Sequence, residues 1–154
     1  MDDEPEEKPV KLEDAVSFAL DEARMILPGI QALFGFQLVA VFNQRFADIF
    51  DETGQLLHLA ALVLVALSCA LAMTPAAMHR QAHRMKVSKS LLAQSSFFIG
   101  AAMLPLMAAI SIDVGLVGYA VTSSSAVATV LGAACAVVFV ALWIVVPQLR
   151  KQGR

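Results

Sequence analysis

Apolar residues in this chain gather into four blocks, at 25–42, 56–78, 91–112 and 126–147, separated by short polar connections. Each block is close to the ~20 residues that an α-helix needs to cross a bilayer. Ahead of them, Leu12, Val16, Ala19, Leu20 and Ala23 recur at three- and four-residue steps, with Glu13, Asp14, Asp21 and Glu22 around them. That stripe predicts a short amphipathic helix over 12–24, lying at the membrane surface or packing under the bundle. Its acidic face disfavours anionic lipid, so a protein contact suits it better. Residues 1–11 are acidic, carry Pro5 and Pro9, and read as a disordered tail. Residues 148–154 form a basic tail. The predicted fold is all-α, an integral membrane four-helix bundle preceded by a short amphipathic helix, running up, down, up and down.

Composition places the chain in the same class. Hydrophobic residues make up 58% of it, above the roughly 45–50% of a soluble domain, and charged residues only 16%, below about 25%. Mean hydropathy is +0.72. The net charge of −2 hides an uneven distribution. Nine acids and three bases lie between Met1 and Arg24, whereas four bases and no acid lie between His79 and Ser90. Lys and Arg in short loops set orientation. "HRQAHRMKVSK" holds Arg80, Arg84, Lys86 and Lys89, and the tail holds Arg150, Lys151 and Arg154. "FNQRFADIFDETGQ" holds only Arg45, and "DVGLVGYAVTSSS" holds no base. The alternation predicts cytoplasmic N and C termini in a multi-pass inner-membrane protein. The acidic start lacks the basic and apolar order of a secretory signal. Cys69 and Cys135 lie inside apolar blocks and read as small hydrophobes.

The first block is the least regular. In "EARMILPGIQALFGFQLVAVFNQRF", Arg24, Pro28, Gln31, Gly35, Phe42 and Arg45 fall on one side of a helix. "LPG" is either a mid-helix kink or the joint between the surface helix and the span. The joint is preferred, because charged residues end at Arg24. Gln31 and Gln37 lie deepest. An unpartnered amide in lipid costs on the order of a few kcal/mol, so both are expected to face other helices. They would serve there as interhelical hydrogen bonds or as part of a polar path. Arg24 and Arg45 stand near the two ends, where both can snorkel to the headgroups, Arg24 with Asp21 as a partner at i−3.

The remaining polar residues divide in the same way. His58, one turn into the second span, could handle protons. Its depth favours the headgroup level. Thr74 precedes Pro75, and its hydroxyl can satisfy a carbonyl that the proline frees. His79 and His83 stand at i and i+4, but two histidines fall short of a structural metal site, so "HRQAHRMK" reads as a basic loop at the lipid surface. Gln94, Ser95 and Ser96 lie near the inner end of the third span, Ser88 suits its N-cap, and Pro105 implies a kink. Asp113 closes that span. It is the first carboxylate to consider for transport, although a wetted aspartate fits the end of a helix better. Ala128, Gly132 and Ala136 form a small-residue face for close packing on the fourth span, and Trp143 suits an interfacial anchor. No Asp, Glu, Lys or Arg lies at the centre of a span, and no nucleotide, metalloprotease or serine-hydrolase motif occurs, so no enzyme activity and no cofactor or metal are expected.

"ARMILPGIQALFGFQLVAVFNQRF", the histidine opening the second span and "MTPAAMHRQ" at its end resemble a family of small bacterial integral membrane proteins of unknown function. Its pattern is "LPG.Q…GFQ" in the first helix, "RF" after it and "PAA.HR" closing the second, and the likeness covers roughly residues 20 to 110. The resemblance implies four spans. Some members carry an automatic sodium/proton antiporter label. Two functions are therefore expected. One is a cation- or proton-transporter-like or channel-like subunit acting as a homo-oligomer. The other is a non-transporting assembly or accessory protein. Gln31, Gln37, Arg45, His58 and Gln94 are the expected polar path or helix lock, with Arg24, His79 and Asp113 behind them. The expected partners are the lipid bilayer, a second copy and a small cation or proton, not nucleic acid.

Overall fold

The computed structural model describes residues 11–82 and 89–152, and nearly all of them are helical. α1 spans Leu12–Val41, α2 Arg45–Ile49, α3 Glu52–Ala82 and α4 Lys89–Thr122. α5 covers Ser125–Val140, continues through a π-helical turn at Ala141–Val145, and ends as α6, Val146–Gln152. Four of these rods are long and apolar enough to cross a membrane: Asp14–Val41, Glu52–Arg80, Lys89–Thr122 and Ser125–Arg150. The all-α membrane bundle read from the sequence is the fold. His83, Arg84, Lys86 and Ser88, and with them the i, i+4 histidine pair and the predicted N-cap, lie outside the described residues.

α1 differs from expectation. No joint interrupts it, and the backbone stays helical through Pro28. The reason lies in its inward face. Val16, Ala19, Ala23 and Ile30 are buried, and Gln37 stands two turns beyond Ile30 on the same line. The stripe that predicts the amphipathic segment thus runs straight into the inward face of the span. One helix buries both. Arg24 pairs with Asp21 at 2.9 Å, as its spacing suggests, on the exposed surface.

α3 and α4 form the centre, α1 packs across both, and α5 has its main contact with α4. The core is small: Ile30, Ala61, Val65, Ala72, Ala102, Leu106 and Ala109. Small residues let α3 and α4 approach closely. At mid-height the Ser68 hydroxyl donates to the Ala102 carbonyl at 2.8 Å. That carbonyl neighbours Ala101, whose own partner is removed by Pro105. Thr74 behaves otherwise than expected. Its hydroxyl donates to Ala70 at 2.9 Å, one residue before Leu71, whose carbonyl Pro75 leaves without a donor.

α4 and α5 meet on glycine. A methyl group placed on Gly132 would stand 2.9 Å from the Ser111 carbonyl oxygen and 3.7 Å from Gly115 Cα. The small face of α5 is therefore matched by Gly115 and Gly118 on α4. The connection is a two-residue turn in which Ser123 adopts φ 53°. L-residues enter this left-handed region at a cost that glycine avoids. Ser123→Gly is expected to stabilise the detergent-solubilised protein by about 0.5 kcal/mol, the relief being partly offset by the freer unfolded chain. A lower Tm in that variant would contradict the strain.

Candidate functional site

α1 ends, α3 begins and α4 approaches its last turns at the same end of the bundle. Three polar side chains meet there. Gln37 Nε2 donates to Asp113 Oδ2 at 2.7 Å. His58 Nε2 lies 3.0 Å from the backbone carbonyl oxygen of Gln37, and His58 Nδ1 lies 3.9 Å from Asp113 Oδ1. Gln37 and His58 are buried, at 4% and 7% exposure, and the Asp113 side chain is 19% exposed.

This geometry fixes one proton and leaves another open. A backbone carbonyl only accepts, so His58 Nε2 carries the hydrogen. In the neutral ring Nδ1 then presents a lone pair toward an Asp113 oxygen. At 3.9 Å the two acceptors face each other beyond hydrogen-bond reach, and a proton would bridge them only after they close by about 1 Å. Gln37 cannot supply it, because its amide N–H₂ is turned to the other carboxylate oxygen. Gln37 Oε1 is buried without a hydrogen-bond partner among the described residues. An acceptor left open in this way costs about 1–3 kcal/mol. The amide is thus better explained by what it holds, the Asp113 carboxylate, than by what it contributes to stability.

The depth of the cluster follows from helix lengths. α4 has 34 residues. At ~1.5 Å per residue it reaches about 51 Å, some 20 Å beyond a ~30 Å hydrocarbon core. Centred, it projects by about 10 Å at each end. Asp113 stands nine residues before Thr122, about 13 Å inside the helix end. It therefore lies just below the headgroup level.

The loop between α1 and α3 covers the cluster. The Phe46 ring of α2 stands edge-on to His58 with centroids 5.1 Å apart. Phe46 also meets Phe50 at 5.2 Å, and Phe50 stacks near Tyr119 of α4 at 6.1 Å. Gly54 seats Phe50: an added Cβ would come within 2.9 Å of its Cδ1. Asp51 starts α3 by accepting the Gly54 N–H at 2.9 Å.

The structure joins some of the expected residues and separates others. Gln37 faces the other helices, as its burial cost requires. Gln31 does not. It is exposed on the outer side of α1, together with Arg24, Pro28, Gly35 and Phe42, while Arg45, which opens α2, is also exposed. The reason is the helical step: Gln31 follows buried Ile30 by one residue and so points about 100° away from the inward line. Gln94 is exposed on α4, and His79 is half-buried far down α3. His58 is not at a wetted interface, because Phe46 and α1 close over it. Asp113 is not at a helix end, because α4 continues to Thr122. The predicted end at Ile112 follows the last strongly apolar run, but "VGLVGYAV" carries the same helical face onward. Phe46 is the aromatic of the "RF" that follows the first helix, but nothing in the sequence shows that its ring meets His58. Among the described residues no three His, Cys, Asp or Glu side chains gather.

No curated protein and no solved structure matches the chain. A family profile does, over residues 6–147, taking in the fourth span as well as the motifs of the first two. With that match covering nearly its whole length, the chain belongs to the family of unknown function DUF6328.

Proposed function

We propose that this multi-pass membrane protein is a transporter-like or channel-like subunit that accepts and releases a proton at Asp113 and His58, with Gln37 holding the carboxylate in place. The observation that carries the reading is the facing pair Asp113 Oδ1 and His58 Nδ1, 3.9 Å apart inside the bundle. Ionisable groups at membrane depth are costly and mark ion or proton pathways. The chain would lie in the bacterial inner membrane with both termini cytoplasmic, following the Lys and Arg alternation. The sequence carries no nucleotide, metalloprotease or serine-hydrolase motif, so no enzyme activity is proposed.

A homo-oligomer suits this reading. The outward side of α1 sets Gln31 against lipid unless a second helix covers it, and a second copy offers the amide both a donor and an acceptor. The apolar interior below the cluster points the same way. Ala61, Val65, Ala72, Ala102, Leu106 and Ala109 fill most of it, with the buried hydroxyls of Ser68 and Ser95 between them, so a single copy carries no ionisable line through the core among the described residues. A path would run between copies. The same lack of ionisable groups in the core favours the second reading, a non-transporting assembly protein in which Gln37–Asp113 locks helices.

Proteoliposomes holding a pH-sensitive dye separate the two. Asp113→Asn keeps an acceptor for Gln37 Nε2 and removes proton exchange. Under an imposed cation or pH gradient, it is expected to lower proton flux at least about 100-fold, the lower end of the usual scale for loss of a proton-transfer group, with yield and oligomeric state unchanged. Equal flux in both chains, or none in either at any pH, would favour the lock.

A further inference from the structure

A second concave site lies at the same end of the bundle, between α3, α4 and α5. Its volume is about 430 Å³, within the range of pockets that hold drug-sized molecules. Asp113 does not line it, so this site stands apart from the Asp113–His58 pair. The walls are mostly apolar, with Leu57 from α3 and Ile112 and Leu116 from α4. Phe50 and Tyr119 contribute two aromatic rings, stacked 6.1 Å apart.

The polar groups in the lining share one property. Asp51 contributes a carboxylate, and no Lys, Arg or His is present. The Ser111 hydroxyl donates to the Met107 carbonyl at 2.8 Å, and the Thr129 hydroxyl donates to Ser125 at 2.9 Å. Both hydroxyls therefore have their proton committed, and to a ligand they could only accept. Two helix N-termini stand at the rim, and helix N-termini ordinarily favour anions. Here the Gly54 N–H is taken by Asp51, and the Val127 N–H by the Ser124 hydroxyl at 3.4 Å. These two N–H groups are thus occupied, and no cationic side chain stands in the lining to hold an anion. The one formal charge in the lining is the Asp51 carboxylate, set beside aromatic faces, the hydroxyls of Thr53, Tyr119 and Ser125, and an apolar body.

We propose that this pocket binds a freely diffusing lipophilic organic cation, of the quaternary ammonium or phosphonium class. Its charge would lie near Asp51 and against the faces of Phe50 and Tyr119, whose quadrupoles attract cations. Its apolar groups would lie along Leu57, Ile112 and Leu116. The site's place at the helix ends suits such an amphiphile, with water at Asp51 and the apolar wall running toward the membrane interior.

Binding of tetraphenylphosphonium to the full chain in dodecyl maltoside, which carries no ammonium group, tests the proposal. Tetraphenylborate has the same shape and the opposite charge. With the two ions measured in separate titrations, because they pair when mixed, saturable binding of the phosphonium and none of the borate are expected. Asp51→Asn keeps an oxygen for the Gly54 N–H, so the start of α3 survives, and it is expected to weaken binding about tenfold by removing the charge. Tyr119→Leu is expected to weaken it about fivefold. Equal binding of borate and phosphonium by the unaltered chain would overturn the proposal, even if a variant failed to fold. So would an affinity unchanged in both variants. Displacement by short-chain phosphatidylcholine at the same concentrations would assign the site to a lipid headgroup and equally overturn it.

Discussion

Gly132→Leu is expected to detach α5 from α4. A Cβ at this position meets backbone, the Ser111 carbonyl oxygen and Gly115 Cα, and backbone cannot rotate aside as a side chain can. Overpacking ordinarily costs about 1–3 kcal/mol, and a leucine at a backbone contact belongs at the upper end of that range. α5 has little else to hold it, since its main neighbour is α4. A disulfide provides the readout. A Cβ on Gly118 would lie 3.8 Å from Leu131 Cβ, the separation usual in disulfides. With Cys69 and Cys135 replaced by alanine, Gly118→Cys with Leu131→Cys is expected to crosslink in high yield under mild oxidation. Adding Gly132→Leu should abolish most of the crosslink. A crosslink that persists at full yield would mean that α5 docks by some other register.

Asp113→Leu is expected to be the most damaging single change at the polar cluster. It strands the Gln37 amide N–H₂ in the interior, beside an Oε1 that already has no partner among the described residues. It also removes the group that His58 Nδ1 faces. Leaving a buried neutral donor without its acceptor costs about 1–3 kcal/mol. Removing both partners is a different matter, because an apolar pair of similar size leaves nothing unsatisfied. Gln37→Leu with Asp113→Leu is therefore expected to regain most of the loss, with a coupling of about 2–3 kcal/mol in a double-mutant cycle followed by denaturant unfolding. Additive effects of the two changes would show that the 2.7 Å contact does not couple them.

The four spans are visible in the sequence because a membrane asks for one property, sustained apolarity, and the blocks have it. Spacing alone also pairs Arg24 with Asp21, and burial cost alone puts Gln37 among the helices. Neither shows which of several polar residues meet. Gln31 and Gln37 look alike in composition, yet six residues separate them, and six is not a whole number of helical turns. Only the line Val16, Ala19, Ala23, Ile30, Gln37 tells inside from outside, and that line becomes legible once α1 is known to be one helix. His58 and Asp113 read as wetted ends because each stands near the edge of an apolar block. Their burial depends on Phe46 and on the onward course of α4, which are tertiary facts. The glycines at 115 and 118 are likewise silent in the sequence, since a glycine states its purpose only when something packs against it.

The unbroken course of α1 has a mechanical consequence. Asp14 and Gln37 are 23 residues apart on one rod, about 35 Å at ~1.5 Å per residue. A flexible joint at "LPG" would absorb any twist or tilt applied to the acidic segment. A stiff helix delivers it to the opposite end, where a small rotation of Gln37 carries the Asp113 carboxylate toward His58 or away from it. A force applied at Asp14, Asp21 and Glu22 would thus act on a lever whose far arm is the Gln37–Asp113 contact.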